Sequence, residues 1–205
     1  MLPDAFFVSH QAVITPGRGL HVDGIVRPFV PGQWVTVRAY LGRRLIKTDH
    51  LRIKPNKKQT VGRFSARFAS PGVGTVTVKA THERTATQAG FKDHRTFATL
   101  DENIGFGSSG RFVQLIQQRL AALHFYVPQS GVYDNGTALA IDAYHRLLGW
   151  GTSQTLGGAT IGRLLNGVGE FKIRFPGHGR HAEGNLGKQL LALAEGSKID
   201  YIFPI

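Results

Sequence analysis

Two groups of residues in this sequence have types and spacings that could do chemistry. His178 and His181 lie three residues apart with Glu183 close behind, a set that could begin a metal site. A metal ion needs a third or fourth protein ligand, and no other residue stands at a recognisable ligand spacing. These histidines therefore read as ordinary turn and strand residues, and no metal is expected. Gly105-Phe106-Gly107-Ser108-Ser109-Gly110 spells GxGxxG ahead of a helix, the pattern of a dinucleotide-binding turn. Its context argues against that use: the preceding segment is all strand, no βαβ unit follows, and no acidic residue stands at the required position about 20 residues on. The glycines read instead as a tight lead into the helix, and no cofactor is expected. With no cysteine among the 205 residues, disulfides, thiolate metal sites and a thiolate nucleophile are excluded from this chain. Ser-His-Asp catalysis has no elbow motif to support it.

The elements that would position such groups centre on the stretch from Gly107 to Leu165. Val113, Ile116, Leu120 and Leu123 recur with helical period and make one apolar stripe. Ser108 or Ser109 is placed to cap that helix through its hydroxyl. A second helix begins after Asp134, a good N-cap, with Thr137, Ile141, Tyr144 and Leu148 inward and Gly149 ending it. A third runs from about Ala159 to Leu165 with Ile161, Leu164 and Leu165 inward. Three short amphipathic helices can bury one another, so the spacing predicts a small bundle.

These residues resemble the peptidoglycan-binding domain found beside many bacterial cell-wall enzymes. The match is carried by Gly107 and Gly110, Ile116-Gln117, Leu120, Leu123, Tyr126, Gly131-Val132-Tyr133, Thr137, Ala140-Ile141, Tyr144, Leu147, Thr160 and Leu164. The sequence departs from the family at His124, where glycine is preferred, and at His145, where glutamine is preferred. The loop from Trp150 to Gly158 is looser than usual.

Residues 1–99 read as strands. Val35, Val37, Ala39 and Leu41 alternate, as do Leu51 with Ile53, Ala66 with Phe68, and Val76, Val78 and Ala80. Turn signals at Pro31-Gly32, Gly42, Pro55-Asn56 and Pro71-Gly72 punctuate them, which predicts an antiparallel sandwich. Many outward positions are basic: Arg38, Lys47, Arg52, Lys54, Arg63, Arg67 and Lys79. The charge is uneven along the chain. Residues 1–100 hold 16 basic and 5 acidic side chains, net +11, and residues 101–205 hold 9 and 8, net +1. A surface of that sign favours polyanions. The segment resembles the immunoglobulin-like modules attached to actinobacterial wall enzymes.

Residues 168–205 return to a strand pattern. Phe171, Ile173 and Phe175 alternate, and Leu186 to Ala194 followed by Ile199, Tyr201 and Phe203 reads as a hairpin. The run His181-Ala182-Glu183-Gly184-Asn185-Leu186-Gly187-Lys188-Gln189 resembles the opening of an L,D-transpeptidase catalytic domain, with Asn185 in place of the usual Asp. That resemblance implies a cysteine nucleophile, a histidine base and oxyanion donors further downstream, none of which these residues contain. The chain is therefore expected to be catalytically inert, and its tail to be poorly ordered or edge-exposed.

The combined expectation is a multi-domain protein. An all-β immunoglobulin-like sandwich (1–99) is followed by a three-helix peptidoglycan-binding bundle (105–166), then by the initial β-strands of an incomplete β-rich catalytic domain (168–205). The resemblance implies non-covalent peptidoglycan binding as the targeting portion of an L,D-transpeptidase-like wall enzyme, in an extracellular, wall-associated setting. The opening residues lack the pattern of a signal peptide. Sugar recognition needs aromatic faces and polar side chains. Phe125, Tyr126, Gln129, Tyr133, Asp134, Tyr144, His145 and Arg146 could supply them, and Tyr126, Gln129, His145 and Arg146 are the expected ligands. Anionic wall polymers such as teichoic acids are a further expected partner of the basic sandwich, with nucleic acid disfavoured. The alternatives are a structural spacer and a general polyanion-binding module. No stretch reaches the roughly 20 apolar residues of a membrane span.

Overall fold

The structure, a computed structural model, describes residues 1–2, 4–86 and 89–205. The chain divides into two compact units, Met1–Glu102 and Asn103–Ile205. Among the described residues no helix is long and apolar enough to cross a membrane.

The described residues of the first unit form nine strands: β1 (Phe6–Val8), β2 (Gln11–Ile14), β3 (Gly19–Val26), β4 (Trp34–Leu41), β5 (Arg44–Arg52), β6 (Lys54–Pro55), β7 (Gly62–Ala69), β8 (Gly74–His82) and β9 (Phe91–Thr99). They form a six-stranded sheet in the order β1-β2-β9-β8-β4-β5 and a three-stranded sheet in the order β3-β7-β6. The alternation read from the sequence fills the space between them. Val35, Val37, Ala39, Val76 and Val78 from one sheet meet Leu20, Val22, Ala66 and Phe68 from the other in one buried cluster. The pairing is not wholly antiparallel. β2 runs parallel to β9, with Val13 opposite Ala98. The chain leaves β2 for the other sheet, so its first and last long segments come to lie side by side in the same direction. Lys47 is not simply outward: its ammonium crosses at the sandwich edge to the Arg67 carbonyl, 2.8 Å away.

The second unit holds α1 (Arg111–Ala122), α2 (Asn135–Leu148), α3 (Gly158–Leu165) and the strands β10 (Arg180–Asn185), β11 (Leu190–Glu195) and β12 (Lys198–Pro204). The three-helix bundle expected for 105–166 is not what forms. The protein is mostly β, and its helices are short, at 12, 14 and 8 residues. They do not close on one another. α1 packs against α3 and α2, while α2 lies on β12 and β11. The physical reason is in α2, where Ala138, Ala140 and Ala143 are buried along with Ile141 and Tyr144. Burial extends well beyond one stripe, so α2 needs a second partner, and small side chains let the sheet approach closely. That partner is the face of the meander carrying Leu190, Ala192, Ala194 and Ile202, all nearly inaccessible. Helices and strands therefore share one core.

The tail is likewise more complete than expected. The free edge of β12 is partly covered by the turn after α1. Ile202 donates to the His124 carbonyl at 2.8 Å, and Tyr126 donates to the Ile202 carbonyl at 3.1 Å. His124 holds φ +68°, which explains why glycine suits this position better. Phe171, Ile173 and Phe175 do not form a strand. The amides of Arg174 and Phe175 are satisfied by the Glu183 carboxylate instead of by a neighbouring strand.

Asp134 caps α2 as its type suggested, accepting from the Thr137 amide at 2.9 Å. The hydroxyls of Ser108 and Ser109 do not cap α1, whose N-cap is Gly110 at φ +124°. The Thr137 amide holds the Asp134 carboxyl below its ordinary range; burial opposes this, and the Thr137 and Ser130 hydroxyls reinforce it. A carboxyl with a depressed folded pKa adds stability above its unfolded pKa and loses it as pH falls toward the folded value. Asp134→Ala is expected to cost about 1 kcal/mol at pH 7. Asp134→Asn keeps an acceptor, so its smaller deficit should shrink further between pH 7 and pH 3. Urea midpoints across that range check both.

Candidate functional site

The glycine-rich turn before α1 is closed by its own backbone. Gly107 donates to the Tyr133 carbonyl at 2.8 Å, Gly110 to Gly131 at 2.9 Å and Ser108 to Gly105 at 2.9 Å. Its amides are thus spent on the loop between α1 and α2 and are not presented to a phosphate. The two loops are pinned at their centre by Gln117, fully buried in α1. Its amide oxygen accepts from the Gly131 N–H at 2.8 Å, and its nitrogen donates to the Val132 carbonyl at 3.0 Å and to the Thr137 hydroxyl at 2.9 Å. This one side chain fixes the conformation of the segment that carries Tyr126 and Gln129 toward α2.

The residues expected to meet a ligand fall into two groups. Tyr126 is 60% exposed, and Gln129 is also exposed while donating to the Gln117 carbonyl at 3.2 Å. His145 and Arg146 are placed differently. His145 is buried on α2, with one ring nitrogen 2.8 Å from the Ser153 carbonyl and the other 2.8 Å from the Thr160 hydroxyl. Both nitrogens are engaged in tying α2 to the following loop and to α3. Arg146 reaches the Gln189 side chain at 3.2 Å and the Ile205 carbonyl at 2.9 Å. Its Nε lies 2.8 Å from an Asp142 carboxylate oxygen, close as opposite charges but poorly aligned as a hydrogen bond. Arg146 therefore clamps the β12 end of the sheet to α2.

Phe125, Tyr133 and Tyr144 are core residues. Tyr133 donates to the Gln154 carbonyl, and Tyr144 donates to the Val168 carbonyl at 2.6 Å. Burial pushes both phenols up to about 12, with Arg163 partly opposing it at Tyr144.

What the sequence reading missed is the company Tyr126 keeps. Its ring meets Tyr201 edge-on at 5.6 Å and lies 5.3 Å from Phe203. Register explains the grouping. Leu193 pairs with Tyr201 and Leu191 with Phe203, whereas Ala192 pairs with Ile202. Leu191, Leu193, Tyr201 and Phe203 thus share the sheet face opposite α2. A bulge intervenes, with Ala194 opposite Ile199, and this puts Ile199 on the α2 side. Read as a plain alternating strand, Ile199, Tyr201 and Phe203 would have shared one face. The available signal was two aromatics at alternate positions in a strand whose intervening residue, Ile202, is apolar.

At the other end of the sheet, Glu183 holds the 174–175 backbone and meets the His181 ring at 3.1 Å. Burial disfavours its charge, but the Arg174 and Phe175 amides and the His181 ring outweigh that and hold the carboxyl below its ordinary range. The Gly179 carbonyl, with Glu183, raises the His181 ring despite its desolvation. His178 stacks on Phe175 at 5.5 Å. Among the described residues no set of three His, Cys, Asp or Glu could hold a metal.

The chain is similar to a solved L,D-transpeptidase from Xylanimonas cellulosilytica, with 26% identity over 51% of this chain and 51% of that one, at a TM-score of 0.46. It thus spans about half the length of that solved protein, and a superposition of this extent does not define a shared fold. No family model and no curated protein matches the chain.

Proposed function

We propose that the second unit binds peptidoglycan non-covalently, as the wall-targeting part of an L,D-transpeptidase-like protein. The observation that carries this reading is the pair of exposed rings Tyr126 and Tyr201 with the half-buried Phe203 beside them, and the Gln129 amide three residues from Tyr126. Aromatic faces pack against the C–H faces of pyranose rings, and a side-chain amide can pair with an N-acetyl group. The motif residues quoted for the peptidoglycan-binding family support it, because Gln117 and Thr137 act together to shape the adjoining loop. His145 and Arg146 then serve as positioning residues and not as ligands. The proposal does not extend to catalysis, since these residues include no thiol.

The whole chain should co-sediment with purified sacculi that have been stripped of anionic polymers. Tyr126→Ala is expected to weaken binding about fivefold, the loss of roughly 1 kcal/mol from one aromatic contact. Tyr126→Ala with Tyr201→Ala should leave the chain in the supernatant. A wild-type chain that remains soluble while folded by circular dichroism would overturn the reading.

A further inference from the structure

The outward face of the six-stranded sheet in the first unit is cationic by construction. Register places Arg38 of β4 directly opposite Lys79 of β8, and Lys79 opposite His94 of β9. One step along, Lys92 stands opposite Thr81, and beyond it Arg52 stands opposite Trp34. Arg38, Lys79, Lys92, His94 and Arg52 are all exposed. The acidic residues of these strands, Asp49 and Asp93, pair in register with Val37 and Ala80 and so belong to the opposite face. Among the described residues the outward positions of β4, β5, β8 and β9 carry no carboxylate. Directly opposed like charges weaken a sheet, so such a ladder is relieved when an anion covers it.

The rest of the face suits a phosphate ester. Thr36, Thr48, Thr77, Thr81 and Thr96 share it and supply hydroxyls that can donate to phosphate oxygens or meet a polyol. A groove of about 620 Å³ runs past Lys79, His94 and Tyr40. The larger groove near Arg27 and Arg63 also contains Asp23, which makes it a poorer anion site.

We propose that this face binds a flexible, linear polyol-phosphate polymer, with successive phosphodiesters seated along the Arg38–Lys79–His94 ladder and its Lys92 and Arg52 neighbours. Lys92 and His94, alternate residues of β9, repeat at about 6.8 Å, close to the phosphorus spacing of a chain with three-carbon bridges, while the Arg38–Lys79–His94 rungs stand about 4.8 Å apart across the strands and reach out on long side chains. A single-stranded nucleic acid is less suited. Such ligands are held by stacking successive bases on free aromatic faces. Here the Tyr40 ring already carries the Lys79 ammonium, 5.3 Å from its centroid, which among the described residues leaves the exposed Trp34 as a single free ring at the far end of β4 and no row of faces for successive bases. The proposal concerns the first unit and is independent of peptidoglycan binding by the second.

The test uses the whole chain and three probes: poly(glycerol phosphate), oligothymidylate of matched charge, and polyglutamate. Poly(glycerol phosphate) should bind most tightly at low salt. Log affinity should fall against log salt with a slope of about −3 if four phosphates are neutralised. Arg38→Gln with Lys79→Gln should lower affinity at least tenfold and flatten the slope by about 1.4. The comparison variant is Lys57→Gln with Lys58→Gln, the same charge change on an exposed turn away from the ladder, and it should stay within twofold of wild type. Circular dichroism confirms that both variants fold. Equal losses in the two variants would reduce the effect to net charge and overturn the proposal. So would absence of wild-type binding, or tighter binding of oligothymidylate or polyglutamate.

Discussion

Replacing Tyr144 with alanine is expected to cost the second unit about 3–5 kcal/mol, the range for emptying an aromatic site in a packed core. The ring has no accessible surface, and Phe125 meets it edge-on at 5.8 Å. Gly169, at φ +123°, lies so close that a Cβ there would sit 3.1 Å from the ring. Little in this surround can collapse into the space, because α2 is held on one side by helices and on the other by β11 and β12. Tyr144→Phe separates the hydroxyl from the ring. It removes only the bond to the Val168 carbonyl, whose residue is 38% exposed and can turn to water. Its expected cost is about 1 kcal/mol. Urea unfolding followed by Trp150 fluorescence, with Trp34→Phe removing the first unit's signal, measures both. A cost for Tyr144→Ala no larger than that for Tyr144→Phe would mean that the ring is not packed as described.

Gln117→Leu, nearly matched in volume, should destabilise the same unit by about 3 kcal/mol. The leucine leaves the Gly131 N–H without its acceptor, which alone costs about 1–3 kcal/mol. It also removes the donor shared by the Val132 carbonyl and the Thr137 hydroxyl. Those two groups retain other partners in Ser130 and Asp134, so they add less than a full orphan each. Gln117→Glu makes the sharper comparison. It keeps an acceptor for Gly131 but brings a charge into a buried site, which raises the pKa of the new carboxyl. A group with a raised folded pKa favours the folded state at low pH, so this variant should recover stability as the pH is lowered. Gln117→Leu brings no titrating group, so its deficit relative to the wild type should stay constant while that of Gln117→Glu shrinks on an acid titration. The consequence for function is direct, because Gln117 shapes the loop that bears Gln129 and follows Tyr126. Gln117→Leu should weaken sacculus binding even at temperatures where the unit remains folded.

Local signals in the sequence were reliable where a single element decides the outcome. The alternation in Val35, Val37 and Ala39 leads to buried strand positions, and Ile161, Leu164 and Leu165 form the inner side of α3. Asp134 caps α2, and Gly149 ends it at φ +75°. Each of these depends on the residue's own stereochemistry or on a period of 2 or 3.6, which neighbours along the chain impose. The site was less legible. Tyr126 and His145 are both polar aromatics in the resembling stretch, yet one is exposed and the other is enclosed by Ser153 and Thr160. No property of the two residues distinguishes them before the loop and α3 have docked.

The sequence alone determined the strand-rich first half, the three helices and much of their inner stripes, with Leu123 falling beyond α1 and Leu148 only half-buried, and the excess of positive charge before residue 100. These follow from periodicity, capping chemistry and composition, which act over a few residues or need no geometry at all. Tertiary structure decided what the helices pack against, because an apolar stripe specifies that it will be buried and not by which partner. It also decided the two surfaces on which function is proposed. The bulge in β12 let Tyr201 and Phe203 share the face of Tyr126 while Ile199 lies on the α2 side. Strand register set Arg38, Lys79 and His94 side by side although 41 and 15 residues separate them along the chain. Register is a long-range property, fixed by which inward faces fill the core together, and a one-residue slip would have sent those same side chains to the opposite side of the sheet.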